Sequence, residues 1–170
     1  YDGSFLPILT VACQWPWSQE GFIRELLAAG ARIHHGLRTS PLWEAVGSDS
    51  PQTLDLLCEY GADINLRPWG GTGLTFLHRA VERKCLKALK WLVGHGADLK
   101  AADCNGRTAL HVAAIGESSE AVEILLDHGA DINPVDRNGR TPVRAAAKTM
   151  RLGPLIVLIG RGDADGLDRG

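Results

Sequence analysis

The stretch Thr108-Ala109-Leu110-His111-Val112-Ala113, followed further on by Gly129-Ala130-Asp131, decides the fold of this chain. A helix can begin at Thr108, because a Thr hydroxyl accepts a hydrogen bond from the unpaired N–H groups of a first turn. Val122, Leu125 and Leu126 then lie at i, i+3 and i+4, which places them on one apolar face of a second helix. Gly129 suits the end of that helix, where a left-handed residue is needed. The stretch therefore predicts two helices that are closed by a glycine.

The same pattern recurs along nearly the whole chain. Glycines close helix-like apolar segments at intervals of 31, 35, 33 and 33 residues, at Gly30, Gly61, Gly96, Gly129 and Gly162. Helix-start clusters precede them, at 40–45, 75–80, 108–113 and 141–146, with a weaker match at 7–12. A period of this size indicates a stack of supersecondary units. Such units bury their apolar faces only against their neighbours.

Turn chemistry separates successive units. Two segments, Asp103-Cys104-Asn105-Gly106-Arg107 and Asp136-Arg137-Asn138-Gly139-Arg140, combine Asp with Asn-Gly. Asn-Gly favours a tight turn, since Gly supplies a positive φ without steric cost. We expect a β-hairpin to project between successive helix pairs.

These motifs closely resemble the ankyrin repeat, whose T-P-L-H-x-A signature is almost literal at 108–113. Gly-Ala-Asp also appears three times, at 61–63, 96–98 and 129–131. The resemblance implies a mainly α repeat solenoid, a stack of β-hairpin and α-hairpin units. It implies one array over residues 1–170, with repeats of approximately 1–34, 35–65, 66–100, 101–133 and 134–166. In this family, hairpin tips and first helices form a concave surface.

Several segments depart from the pattern. The hairpin before Ser40 lacks two residues and should be short or irregular, while the segment 65–73 is two residues longer, so its tip should protrude. Trp15 and Trp17 are expected to cap the exposed apolar end of the stack. Trp91, beside Leu92 in a second helix, is expected to pack between units. The chain does not begin with Met, which favours a segment cut from a longer protein.

Composition narrows the functional classes. Eighteen basic against twenty acidic side chains give a net charge of −2, which does not favour a nucleic-acid binder. No uninterrupted apolar run approaches the ~18 residues of a membrane span. The four cysteines form no CxxC pair, which favours reduced thiols and a cytoplasmic or nuclear protein. We expect a monomer.

Residue types that could support catalysis or metal binding are present but are not arranged for it. His78 and His111 occupy the signature's His position, where the family uses the ring to tie neighbouring loops together. Trp43 and Arg144 replace that histidine in other units, so a shared catalytic role is not expected. No Cys/His spacing matches a zinc site, and no phosphate-binding loop follows a strand. We therefore predict no enzyme activity, no cofactor and no metal.

The resemblance instead assigns recognition to hairpin tips and to two positions on each first helix. Trp69 and Arg67 lie on the longest tip, and Trp and Arg are favoured at binding hot spots. Trp69 has two open interpretations, a binding anchor or local packing against the next hairpin. Because Arg107, Arg137 and Arg140 would place positive charges along the hairpin edge, we expect an acidic or mixed-charge peptide to bind there, near Trp69. The predicted protein-binding residues are Arg67, Trp69, Glu82, Arg83, Asn105, Arg107, Ile115, Arg137, Arg140 and Lys148.

The sequence thus predicts a non-catalytic module that binds a protein or peptide partner. The alternative is a structural spacer, or a regulatory segment, within a larger protein whose activity lies elsewhere. An enzyme built on the array is a third class, which would need a deep polar pocket with converging catalytic groups.

Overall fold

A computed structural model describes residues 8–14, 20–31, 33, 40–67 and 71–167, with side chains to residue 162. This part of the chain contains ten helices and no strand, which confirms the predicted helical repeat fold. The helices are α1 (Ile8–Gln14), α2 (Glu20–Ala28), α3 (Pro41–Gly47), α4 (Pro51–Glu59), α5 (Phe76–Glu82), α6 (Leu86–Gly94), α7 (Ala109–Ile115), α8 (Ser119–Asp127), α9 (Pro142–Lys148) and α10 (Leu152–Leu167).

The helices form five successive pairs that stack in chain order. The first helices pack in one row, α1 on α3, α3 on α5, α5 on α7 and α7 on α9, and the second helices pack in a parallel row from α2 to α10. Among the described residues, all substantial helix contacts join the same pair or adjacent pairs. The molecule is therefore held by contacts between neighbours, as expected of a repeat array.

Small residues let the rows approach closely. Ala45, Ala80, Ala113 and Ala146 recur in the first helices and are fully buried or nearly so. Leucines of the second helices fill the space between them, at Leu54, Leu57, Leu89, Leu92, Leu125 and Leu158. Each such leucine contributes about 1.5–3 kcal/mol through apolar burial. No described helix combines the length and the apolar character needed to cross a bilayer.

Helix starts follow the sequence signals. The hydroxyl oxygens of Ser40, Thr75 and Thr141 accept hydrogen bonds from the backbone N–H three residues later. Pro41, Pro51 and Pro142 occupy first helical positions, where a missing N–H costs nothing because it would have no partner.

Helix ends match the prediction at four of the five glycines. Gly30, Gly61, Gly96 and Gly129 have φ between +81° and +91°. At Gly129, its own N–H and that of Ala130 bond back to Leu126 O and Leu125 O. The prediction for Gly162 is wrong, since α10 continues through it to Leu167. The sequence differs at this point, because Gly162 is followed by Asp163 whereas the other four glycines are followed by an apolar alanine.

The predicted hairpins are tight turns rather than extended strand pairs. Each turn is closed by a backbone bond between its ends, Asp103 N to Arg107 O at 2.8 Å and Asp136 N to Arg140 O at 2.9 Å. Within the described ranges, Ala102 and Thr108 form an isolated β-bridge. The predictions for the hairpin before Ser40, for the tip at 68–70 and for Trp15 and Trp17 concern segments outside the described residues.

Candidate interaction surface

His78 fastens its own helix to the next turn. The backbone N–H of Thr75 donates to Nδ1 of His78 at 3.2 Å, so Nδ1 is the acceptor and Nε2 carries the proton. Nε2 then donates to the carbonyl oxygen of Arg107 at 2.8 Å. Burial lowers the pKa of His78, although the bond to Arg107 O opposes that shift.

His111 repeats the arrangement one pair later. Its Nδ1 accepts from Thr108 N at 3.2 Å, and its Nε2 lies 2.9 Å from Arg140 O. Both rings are fully buried. The predicted structural role of these two histidines, which is to tie neighbouring loops together, is confirmed. Among the described residues, no three His, Cys, Asp or Glu side chains are grouped as a metal site would require.

Asp103 organises the turn between α6 and α7. One carboxylate oxygen accepts from the N–H groups of Asn105 and Arg107, and the other accepts from Nε and Nη2 of Arg107 at 2.8 and 2.7 Å. Burial opposes ionisation of Asp103, but the hydrogen bonds from Arg107 and Asn105 outweigh it and lower the pKa of the carboxyl group.

Asp136 and Arg140 form the same arrangement in the next turn. Hydrogen bonds from Arg140 and Asn138 hold the pKa of Asp136 well below its usual range, against the effect of burial.

The prediction of a positively charged hairpin edge therefore needs correction. Arg107 and Arg140 have their guanidinium groups paired with buried carboxylates, so neither adds a free charge to the edge. Arg137 is exposed and forms no ion pair with another described residue.

Successive turns are also bonded to each other. Cys104 N donates to Thr72 O at 2.8 Å, and Arg137 N donates to Asn105 O at 2.9 Å. Asn65 accepts from Asp98 N, and Arg67 donates to Ala102 O at 3.2 Å. These bonds give the turns a fixed spacing, so the side chains they carry are presented from a rigid frame.

A shallow cleft of about 210 Å³ lies between α5, α7 and the turn that joins their pairs. Its walls are Val81, Glu82, Arg107, Val112, Ile115 and Gly116, and we call it the α5–α7 cleft. Cofactor and drug-sized sites usually need about 300–1,000 Å³. The α5–α7 cleft has room for one apolar side chain, with the Glu82 carboxylate and the paired Arg107 among its lining groups.

The predicted recognition residues divide by location. Glu82, Arg107 and Ile115 meet at the α5–α7 cleft. Arg67, Arg83, Asn105, Arg137 and Lys148 are exposed elsewhere on the first helices and turns, and Arg140 is half-buried beside Asp136. Trp69 lies outside the described residues. Trp91, expected between units, does bridge two pairs: its Nε1 donates to Asp55 at 2.7 Å.

The sequence did not identify Val81 and Val112 as cleft residues. Their positions in the helix pattern suggested core packing, and only 3% of the surface of Val81 is exposed. A signal that could have found them is the small residue Gly116, which follows Ile115 and lines the same cleft as Glu82 of the preceding pair.

Comparison with known proteins identifies a family whose model matches this chain. The family model described as ankyrin repeats (3 copies) matches residues 9–103 and 77–165. The search of curated proteins gives no significant match.

Proposed function

Because the chain belongs to the ankyrin repeat family, we propose that it is a non-catalytic module that binds an extended segment of a partner protein across its first helices. Ankyrin repeats generally mediate protein–protein interactions. The supporting observation is the α5–α7 cleft, where three of the residues expected to contact a partner line one apolar depression.

The cleft suits a peptide side chain better than a small molecule. Val112 and Ile115 are only partly buried, so their apolar surface is available to a partner. The frame around them is fixed by His78, which holds the turn that carries Arg107. A preformed site binds with a smaller loss of conformational entropy than a flexible one.

The test selects ligands from random peptides of about 12 residues displayed on phage, which in extended form (~40 Å) are long enough to cross α5, α7 and α9. Dissociation constants of the enriched peptides are then measured with the wild type, Ile115→Glu and Ile156→Glu. The last variant makes the same change on α10, where Ile156 is 69% exposed. We expect Ile115→Glu to weaken binding by about tenfold or more, equal to ~1.4 kcal/mol, and Ile156→Glu to change it by less than about twofold.

Two results contradict the proposal. Enriched peptides whose affinity does not respond to Ile115→Glu would place binding elsewhere. A folded protein that enriches no peptide would favour the alternative, a structural spacer or a regulatory segment of a larger protein.

We further propose a monomer in the cytoplasm or nucleus. The four cysteines Cys13, Cys58, Cys85 and Cys104 are free thiols, in keeping with a reducing compartment. Light scattering of the purified chain tests the first statement, and imaging of the tagged protein in its own cell tests the second. A stable dimer or a secreted product would contradict them.

A further inference from the structure

Among the described residues, Arg79 on α5 is an unpaired arginine that lies against an aromatic ring. Its guanidinium carbon lies 4.9 Å from the ring centroid of Trp43, a distance at which a cation is attracted to an aromatic face. Within the described residues, Arg79 forms no hydrogen bond or ion pair through its side chain, and its Nε is buried without a partner. Arg107 and Arg140, by contrast, are paired through Nε and Nη2 with Asp103 and Asp136.

The surroundings of Arg79 are built to hold the guanidinium in place. Trp43 occupies the position that His78 and His111 fill in later pairs, and only 8% of its surface is exposed. Its ring packs against Phe76 at 6.1 Å between centroids, so its orientation is fixed. Gly47 borders the other side, where a Cβ atom would lie 3.1 Å from Nη2 of Arg79. The equivalent positions in later pairs carry the larger residues Glu82, Ile115 and Lys148.

Within the described residues, most cations of the second helices form an ion pair, whereas those of the first helices form none. Arg24, Lys90 and Arg161 of the second helices each pair with an acidic side chain of the adjacent pair, and Lys87 of α6 is the exception among the described residues. On the first helices Arg79, Arg144 and Lys148 have no such partner among the described residues. Cations that are left unpaired on one face can take their counter-charge from a partner.

We propose that Arg79 is a carboxylate-binding subsite that selects an Asp or Glu side chain in the partner segment. This rests on the proposed function, because the same segment would fill the α5–α7 cleft. The planar guanidinium presents parallel donors that match a carboxylate, and stacking on Trp43 has already removed much of its rotamer freedom. The subsite takes a carboxylate in preference to a phosphate, since Glu82 lies one turn from Arg79 and disfavours a second negative charge.

The two subsites predict a spacing in the ligand. Arg79 reaches over α3, whereas the α5–α7 cleft lies on the other side of α5. Packed helices are about 8–10 Å apart, and an extended peptide advances about 3.3 Å per residue. The acidic residue should therefore stand about three residues from the aliphatic one.

The experiment uses the peptides selected on the wild type. Each enriched peptide is compared with a copy in which its Asp or Glu becomes Asn or Gln, and both are titrated against the wild type, Arg79→Gln and Arg24→Gln. We expect Arg79→Gln to weaken the acidic peptide by about tenfold or more. The affinity of Arg79→Gln for the amide peptide should stay within about twofold of the wild type's affinity for that peptide. Arg24→Gln should bind the acidic and the amide peptides as the wild type does.

Comparing two peptides against each variant distinguishes carboxylate recognition by Arg79 from a structural role of Arg79, and it also tests this inference separately from the proposed function. If Arg79→Gln weakens both peptides equally, Arg79 supports Trp43 and does not bind carboxylate, and the inference is wrong. If affinity depends on Ile115 but the enriched peptides lack an acidic residue or ignore Arg79→Gln, the inference fails while the proposed function stands. If no peptide is enriched, both fail.

Discussion

At the scale of the residue, His78 shows how a signature side chain supports the proposed binding surface from inside the core. Its ring is fully buried, accepts at Nδ1 and donates at Nε2, so it fixes the turn that carries Arg107. Such a ring cannot be protonated without losing the bond from Thr75 N. Protonation therefore opposes folding, as the lowered pKa of His78 also indicates.

A pH dependence follows from this geometry. The unfolded chain binds the proton near the ordinary pKa of 6.5, whereas folded His78 binds it only at lower pH. The contribution of His78 is complete above pH 6.5 and is lost as pH falls from there towards the lower folded pKa. The free energy of unfolding, measured with urea, should fall between about pH 7.5 and about pH 5.5, and it should fall by less in His78→Gln than in the wild type.

The same variant should be less stable at the higher pH by about 1–3 kcal/mol, because buried partners of the ring are left unpaired. Equal losses between the two pH values in wild type and variant would show that His78 does not carry the effect.

At the scale of the element, the stacked turns hold the first helices in register. Gly106 and Gly139 occupy the same position in successive turns, with φ of +76° and +68°. A Cβ atom on Gly106 would lie 2.8 Å from the backbone nitrogen of Arg137, whereas one on Gly139 would meet nothing within 4 Å. The turn at Gly106 is thus covered by the next turn along the chain, whereas the turn at Gly139 has free space beside its glycine.

This difference predicts unequal costs for one substitution. Gly139→Ala should lower the free energy of unfolding by about 1–2 kcal/mol, the cost of a left-handed Ala. Gly106→Ala should cost about 1–3 kcal/mol more, because it also displaces the bond from Arg137 N to Asn105 O. Chemical denaturation of the two variants measures both values. Equal costs would mean that the turns do not stack tightly.

At the scale of the whole molecule, the period of the closing glycines was enough to predict the stack. Helix starts at residues such as Thr75 and helix ends at residues such as Gly129 are predictable, because capping depends on the local sequence. The pattern failed at Gly162, because ending α10 there depends on an alanine that packs inward, and Asp163 stands in its place.

The candidate surface was less predictable, because its decisive contacts cross between pairs. The alignment gave Glu82, Arg107 and Ile115, and the structure brings all three to one cleft. It also counted Arg107 as a free charge, which overlooked Asp103 four residues earlier in the same turn, the carboxylate with which Arg107 is paired. Arg79 was missed because its neighbour Trp43 lies on the preceding pair, a contact that the local sequence does not reveal.

The central claim is that partners bind along the first helices rather than the second. Amide hydrogen exchange with and without a selected peptide, read by mass spectrometry, tests it most directly. The account predicts slower exchange in α5, α7 and the turn at 103–107, with α4, α6 and α8 unchanged. Slower exchange confined to the second helices, with the first helices unchanged, would contradict it.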